Sequence, residues 1–220
     1  MRYKCLVFDH DDTVVNSTAT IHHPCFVEFL AQRRPGLSCD LDQYFIKNFD
    51  PGFIAMCKED YGLSDADLDD ELQFWKAYVR DHVPTAYPGI REIMQRQKAE
   101  GGLVCVASHS LDFNIRRDYR ENGLPEPDAV FGWELPAEQR KPMPYPLLEI
   151  MRRFDLRPED LLMIDDLKPG YDMARTCGVD FAAVGWANDI PVIERFMRAN
   201  CRFYFKRVKE LDAFLKEESL

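Results

Sequence analysis

Short apolar runs rich in β-branched and aromatic residues, at 3–8, 103–107, 161–164, 181–184 and 202–205, alternate with segments of helical periodicity. That alternation constrains the fold more than any other feature of the chain. Runs of this length read as strands buried on both faces of a parallel sheet. The segments between them carry helix punctuation. Ile90, Ile93 and Met94 share a face in a segment opened by Pro88 and closed by Gly101 and Gly102. Leu147, Leu148 and Met151 make a similar face after Pro142, Pro144 and Pro146, and the segment 171–177 stops at Gly178. The pattern predicts an α/β fold, a Rossmann-like parallel sheet with helices on both faces.

One stretch interrupts the alternation. Residues 17–83 contain no strand-like run, only amphipathic helical segments. Phe26, Phe29 and Leu30 form one stripe; Leu68, Leu72, Trp75 and Val79 form another, opened by Ser64 as an N-cap. The expectation is an all-helical cap domain, 17–83, inserted into an α/β core domain made of 1–16 and 84–220. Its hinges would be Asn16-Ser17 and His82-Val83-Pro84.

Charge and cysteine content exclude several classes of function. Lys and Arg total 28 against 38 Asp and Glu, a net charge of −10. Such a surface repels a polyphosphate backbone, so no nucleic acid is expected as a partner. No apolar run approaches the ~20 residues that span a bilayer, so no membrane partner is expected either. Seven scattered cysteines without a C-x-x-C pair point to a reduced, cytoplasmic setting. An anionic substrate would have to be neutralised locally, by a metal or by a few placed cations.

The candidate chemistry lies at strand ends, where α/β sheets bind ligands. The first run leads directly into Asp9-His10-Asp11-Asp12-Thr13, and two carboxylates in one turn offer a nucleophile or metal ligand and a proton shuttle. The second run ends in Val106-Ala107-Ser108, Lys141 precedes a Pro-Met-Pro stretch, and the third run ends in Asp165-Asp166 before Gly170. Each feature alone is explained by a turn, a helix cap or plain surface. Their order and spacing together are not.

The joint pattern resembles the haloacid dehalogenase-like superfamily over nearly the whole chain. Residues 8–17 (Phe-Asp-His-Asp-Asp-Thr-Val-Val-Asn-Ser) are similar to its first motif and Val106-Ala107-Ser108 to its second. Lys141-Pro142 is similar to the third, and 164–170 (Ile-Asp-Asp-Leu-Lys-Pro-Gly) to the fourth. Tyr87-Pro88-Gly89-Ile90 resembles the segment by which such chains re-enter the core. A helical insert after the first motif matches the C1-capped subgroup, the arrangement of phosphoglycolate phosphatase and β-phosphoglucomutase relatives. The resemblance implies a Mg2+-dependent phosphatase acting on a small phosphorylated metabolite, as a monomer or weak homodimer. It also implies that Asp9 attacks phosphorus to form an aspartyl-phosphate, and that Asp11 is the general acid and then the general base. Ser108, His109 and Lys141 would contact the phosphoryl group. Asp9, the Asp11 carbonyl and Asp166 would hold Mg2+, with Asp165 beside them. Asp12 stands where the family has Gly; Asp tolerates left-handed backbone better than most residues. His10 fills the variable position of the motif and is expected to pack or hydrogen-bond locally, and His22 and His23 to be ordinary helix residues.

Competing readings follow from the same residues. A phosphomutase would use the same aspartyl-phosphate, but 47–53, read as the loop that closes over substrate, contains no arginine. Dehalogenation does not need Asp11 or Asp166. Phosphonate hydrolysis needs a Schiff-base lysine, for which Lys47 or Lys58 would have to serve. A non-hydrolytic phospho-receiver module shares the acid–hydroxyl–lysine set but lacks the insert, and Ser108 lacks the G-x-S-x-G setting of a serine esterase.

Overall fold

The structure, a computed structural model, describes residues 2–217. The first apolar run forms β1 (Cys5–Phe8), every residue of it buried, followed by the short β2 (Val15–Asn16). A π-helical turn over Thr18–His22 leads into α1 (His23–Arg33), then α2 (Leu41–Phe49), α3 (Phe53–Glu59) and α4 (Asp65–Arg80). The chain continues through β3 (Thr85–Ala86), α5 (Ile90–Ala99), β4 (Leu103–Ala107), α6 (Asp112–Glu121) and β5 (Ala129–Phe131). It then forms α7 (Tyr145–Phe154), β6 (Leu161–Asp165), α8 (Lys168–Cys177) and β7 (Asp180–Val184). It closes with α9 (Pro191–Asn200), β8 (Phe203–Phe205) and α10 (Val208–Lys216).

Among the described residues six strands form one parallel sheet in the order β5-β4-β1-β6-β7-β8, with Val7 level with Cys105 on one side and Met163 on the other. After β1 the chain builds outward on one side, through β4 and β5, and then crosses to the other. This reversal of winding opens a crevice at the carboxyl ends of β4, β1 and β6. Below that crevice lies the core, with Leu6, Phe8, Val104, Val106, Leu162 and Ile164 from the sheet against Ile93, Met94, Ile115 and Tyr119 from the helices. The α/β fold expected from the alternation is therefore present.

Three details differ from the sequence expectation. The edge strand β5 was not foreseen; at three residues, close after Pro125 and Pro127, it carries no periodicity. β2 and β3 form an antiparallel pair, Val15 opposite Ala86. In α7 the buried face is Pro146, Leu147 and Ile150, whereas Leu148 is 51% exposed. The helix packs on the i, i+4 row through Pro146 and Ile150, and Leu148 turns to solvent.

The chain divides into two compact units, one running to Asn16 and resuming at Thr85, the other spanning Ser17–Pro84. The helical unit has its own core of Phe26, Phe29, Leu30, Tyr44, Met56 and Leu63, with Phe26 edge-on to Phe53 and Tyr61 at centroid distances of 5.4 and 5.3 Å. Ser64 caps α4 in a reciprocal box: its hydroxyl accepts from Asp67 N, and the Asp67 carboxylate accepts from Ser64 N. Leu68, Leu72 and Trp75 are half-buried, and the fully buried members of α4 are Val79 and Glu71. His22 Nδ1 accepts from Trp75 Nε1 at 3.0 Å, and His23 contacts the Cys39 carbonyl at 2.9 Å. Lys47 pairs with Asp60 and Lys58 with Asp65. All seven cysteines are free thiols. No helix among the described residues is long and apolar enough to cross a membrane.

Candidate active site

Three strand ends supply the site. β1 delivers Asp9, whose N–H continues the sheet by donating to the Ile164 carbonyl at 2.8 Å. Past Asp9 the chain turns tightly: Asp12 N donates to the Val15 carbonyl at 2.7 Å, and the His10 carbonyl accepts from Val14 N and Val15 N. Asp12 adopts φ +58°, the left-handed region in which glycine is the default and Asp among the best substitutes. The sequence departure at this position thus satisfies the backbone requirement.

β6 delivers Asp165 and Asp166, and β4 delivers Ser108, His109 and Ser110. Oxygens of Asp9, Asp165 and Asp166 lie within 4.8 Å of one another, and all three residues are buried. Lys141 Nζ enters this cluster from the loop before α7, donating to Asp9 Oδ1 at 2.8 Å and to Asp165 Oδ2 at 2.9 Å, with both ends of each pair almost wholly buried. Asp165 Oδ1 accepts from Leu167 N at 2.8 Å, and Asp166 Oδ1 accepts from Thr13 Oγ1 at 3.1 Å. Gly170 is required here: a Cβ at that position would lie 2.0 Å from Asp165 Oδ2.

The electrostatics follow from burial. Loss of hydration raises the Asp165 carboxyl to about 7 despite the pull of Lys141, with Asp9 adding repulsion. Asp166 is raised well above the usual carboxylate range by burial and then by Asp12, Asp165 and Asp9. Burial alone would lower the Lys141 ammonium, but Asp165 and Asp9 outweigh it and hold the lysine charged, above its ordinary value. One ammonium does not neutralise three converging carboxylates. This excess of hard oxygen donors in a small volume fits a divalent cation such as Mg2+.

The other expected residues surround this centre. Ser110 Oγ donates a short hydrogen bond to Asp11 Oδ2, and the Asp11 carboxylate is not one of the three clustered groups. Ser108 is buried, its Oγ accepting from Ser110 N at 3.2 Å. His109 Nε2 donates to the Lys141 carbonyl at 2.6 Å, and burial, followed by the Lys141 charge, lowers its imidazole to about 4. A neutral His109 thus bonds to the backbone of the loop that presents the lysine. His10 turns away from the carboxylates toward Asp118, at 3.0 Å. Sequence reasoning missed Ser110 and Thr13, which touch Asp11 and Asp166. The signal was positional: each is a hydroxyl within four residues of a strand-end site residue, Ser110 two beyond Ser108 and Thr13 four beyond Asp9.

Comparison with known proteins agrees with this geometry. Residues 6–184 match the sequence profile of the family described as haloacid dehalogenase-like hydrolase. The phosphoglycolate phosphatase of Haemophilus influenzae is 24% identical over 209 residues, covering 88% of this chain and 91% of that protein. A second phosphoglycolate phosphatase, from Nitrosospira multiformis, is 35% identical over 95 residues, where the chain spans 41% of its length. In fold the chain is similar to CbbY of Rhodobacter sphaeroides in complex with xylulose-(1,5)bisphosphate, at TM-score 0.73 and 19% identity, covering 95% of this chain and 96% of that one. A profile match over most of the chain, on a sheet whose strand ends carry the expected carboxylates beside the lysine of the loop before α7, leads to one assignment: the protein belongs to the haloacid dehalogenase-like hydrolase family and is an enzyme of the phosphatase type.

Proposed function

We propose that this enzyme is a Mg2+-dependent phosphatase that hydrolyses a small phosphate monoester through an aspartyl-phosphate on Asp9. The observation that carries the reading is the buried cluster of Asp9, Asp165 and Asp166 with Lys141 bonded to two of them. Asp9, Asp165, Asp166 and the Asp11 carbonyl would hold the cation. When bound, it supplies the positive charge that lets a carboxylate approach a phosphoryl dianion.

The chain's own residues account for the rest. The Asp9 carboxylate attacks phosphorus as the ester P–O bond breaks, and Asp11 donates its proton to the departing alkoxide. Asp11 then takes a proton from water, whose oxygen attacks the phosphorus of the acyl phosphate, freeing Asp9 and inorganic phosphate. Lys141 and Ser108 hold the equatorial oxygens by charge and hydrogen bonding, with little further covalent work for the protein. Asp11 must be protonated at the first step while Asp9 is ionised. Lys141 donates to Asp9, and Ser110 donates to Asp11. His109 acts through its bond to Lys141. The free cysteines support a reducing, cytoplasmic setting.

Hydrolysis of para-nitrophenyl phosphate with Mg2+, with EDTA, and by Asp9→Asn tests the reading. Turnover is expected only in the first case, and Asp9→Asn is expected to lose at least about 10⁴-fold in kcat. Full activity in EDTA, or in Asp9→Asn, would overturn it.

A further inference from the structure

The residue between the two catalytic carboxylates is buried, polar and bonded to a helix distant in sequence. His10 is 1% exposed, and its Nε2 donates to Asp118 Oδ2 at 3.0 Å across 108 residues of sequence. Asp118, also buried, is bonded on its other oxygen by Arg117, from Nε at 2.8 Å and from a terminal nitrogen at 2.7 Å. The ring of Tyr119 stacks against the imidazole at 28°, with centroids 5.9 Å apart. His10 Nδ1 has no partner among the described residues, so the Asp118 bond is what orients the ring. An apolar side chain would fill such a position at lower desolvation cost than a buried His–Asp–Arg chain.

Geometry suggests why the polar solution is present. The chain bends at His10 and turns tightly beyond it, so anchoring the His10 ring on α6 fixes the turn that carries Asp9 and Asp11 on either side of it. The same part of the chain also holds Asp11: Ser110, just before α6, donates to its carboxylate. Two consecutive residues of the turn are thus held by the stretch that follows β4, His10 at Asp118 of α6 and Asp11 at Ser110 just ahead of it.

We propose that His10, through Asp118 and Arg117, is a positioning residue that aims the Asp11 carboxyl at the leaving-group oxygen. The inference rests on Asp11 being the general acid. Its effect scales with how much the leaving group needs a proton, which a purely structural role would not produce. The test compares kcat/KM for phenyl phosphate and para-nitrophenyl phosphate, since kcat/KM reports steps up to formation of the acyl phosphate. For His10→Leu, phenyl phosphate is expected to lose about 10- to 100-fold and para-nitrophenyl phosphate no more than about 3-fold. Asp118→Asn, which keeps volume and shape, should move the ratio in the same direction, and it decides the matter should His10→Leu fail to fold. Equal losses on both substrates, or no loss on either, would overturn the inference while leaving the phosphatase reading intact. A wild-type enzyme without Mg2+-dependent turnover would remove both.

Discussion

In the α/β unit, Asp9, Asp165, Asp166 and Asp118 are all buried, and each is met by a specific donor: Lys141, Leu167 N, Thr13 and the Arg117–His10 pair. In the helical unit the buried carboxyl is Glu71, which has no hydrogen bond or ion pair among the described residues. Burial raises it to about 7, with His22 close enough to oppose that shift. The ion pairs of the helical unit, such as Arg33–Asp70, lie on its surface instead. The first unit thus gives each of these buried carboxyls a specific donor. The second holds a buried acid without such a donor, and burial alone favours its protonated form.

The comparison is broken most severely at Lys141. Lys141→Met should destabilise the α/β unit by about 3–5 kcal/mol, because two buried carboxylates lose their cation. Millimolar Mg2+ should restore part of the lost thermal midpoint, read by calorimetry. An equal loss with and without Mg2+ would show that the cluster does not take a cation.

Glu71 sharpens the other side. In an unfolded chain it titrates near its ordinary 4.5, and in the fold near 7. Below both values the carboxyl is protonated in either state and carries no penalty. As pH rises from about 4.5 to about 7 the unfolded chain releases the proton first, so stability falls, by up to about 3 kcal/mol, and then levels off. Glu71→Gln should make this slope shallower in urea titrations run from pH 5 to 8, leaving the variant more stable than wild type at the alkaline end. An unchanged slope would place the titrating group elsewhere.

Ser64 is expected to give the smallest effect. Ser64→Ala removes one half of the cap of α4 and should cost about 1 kcal/mol in the helical unit. By urea titration the loss should be visible, while kcat on para-nitrophenyl phosphate stays at the wild-type value.

Much of the candidate site was legible in the sequence. Asp9, Ser108, Lys141, Asp165 and Asp166 each follow or adjoin a recognisable run, and their residue types carry the chemistry. The cap of α4 by Ser64 was equally readable, because a cap is a contact over three residues. The edge strand β5 was not, since three residues in parallel pairing need no amphipathic pattern of their own. Nor was the burial of Glu71, which shares a helical face with Leu68 and Trp75 but is polar by composition.

Residue types and periodicity alone show which side chains follow the apolar runs, and that position 12 could turn left-handed without glycine. Only the tertiary structure decided that Ser110 meets Asp11 across 99 residues and that His10 meets Asp118 across 108. The physical reason is strand order. Periodicity describes how a segment buries its own side chains, whereas the placement of β4 and β6 on either side of β1 is set by packing of the whole sheet.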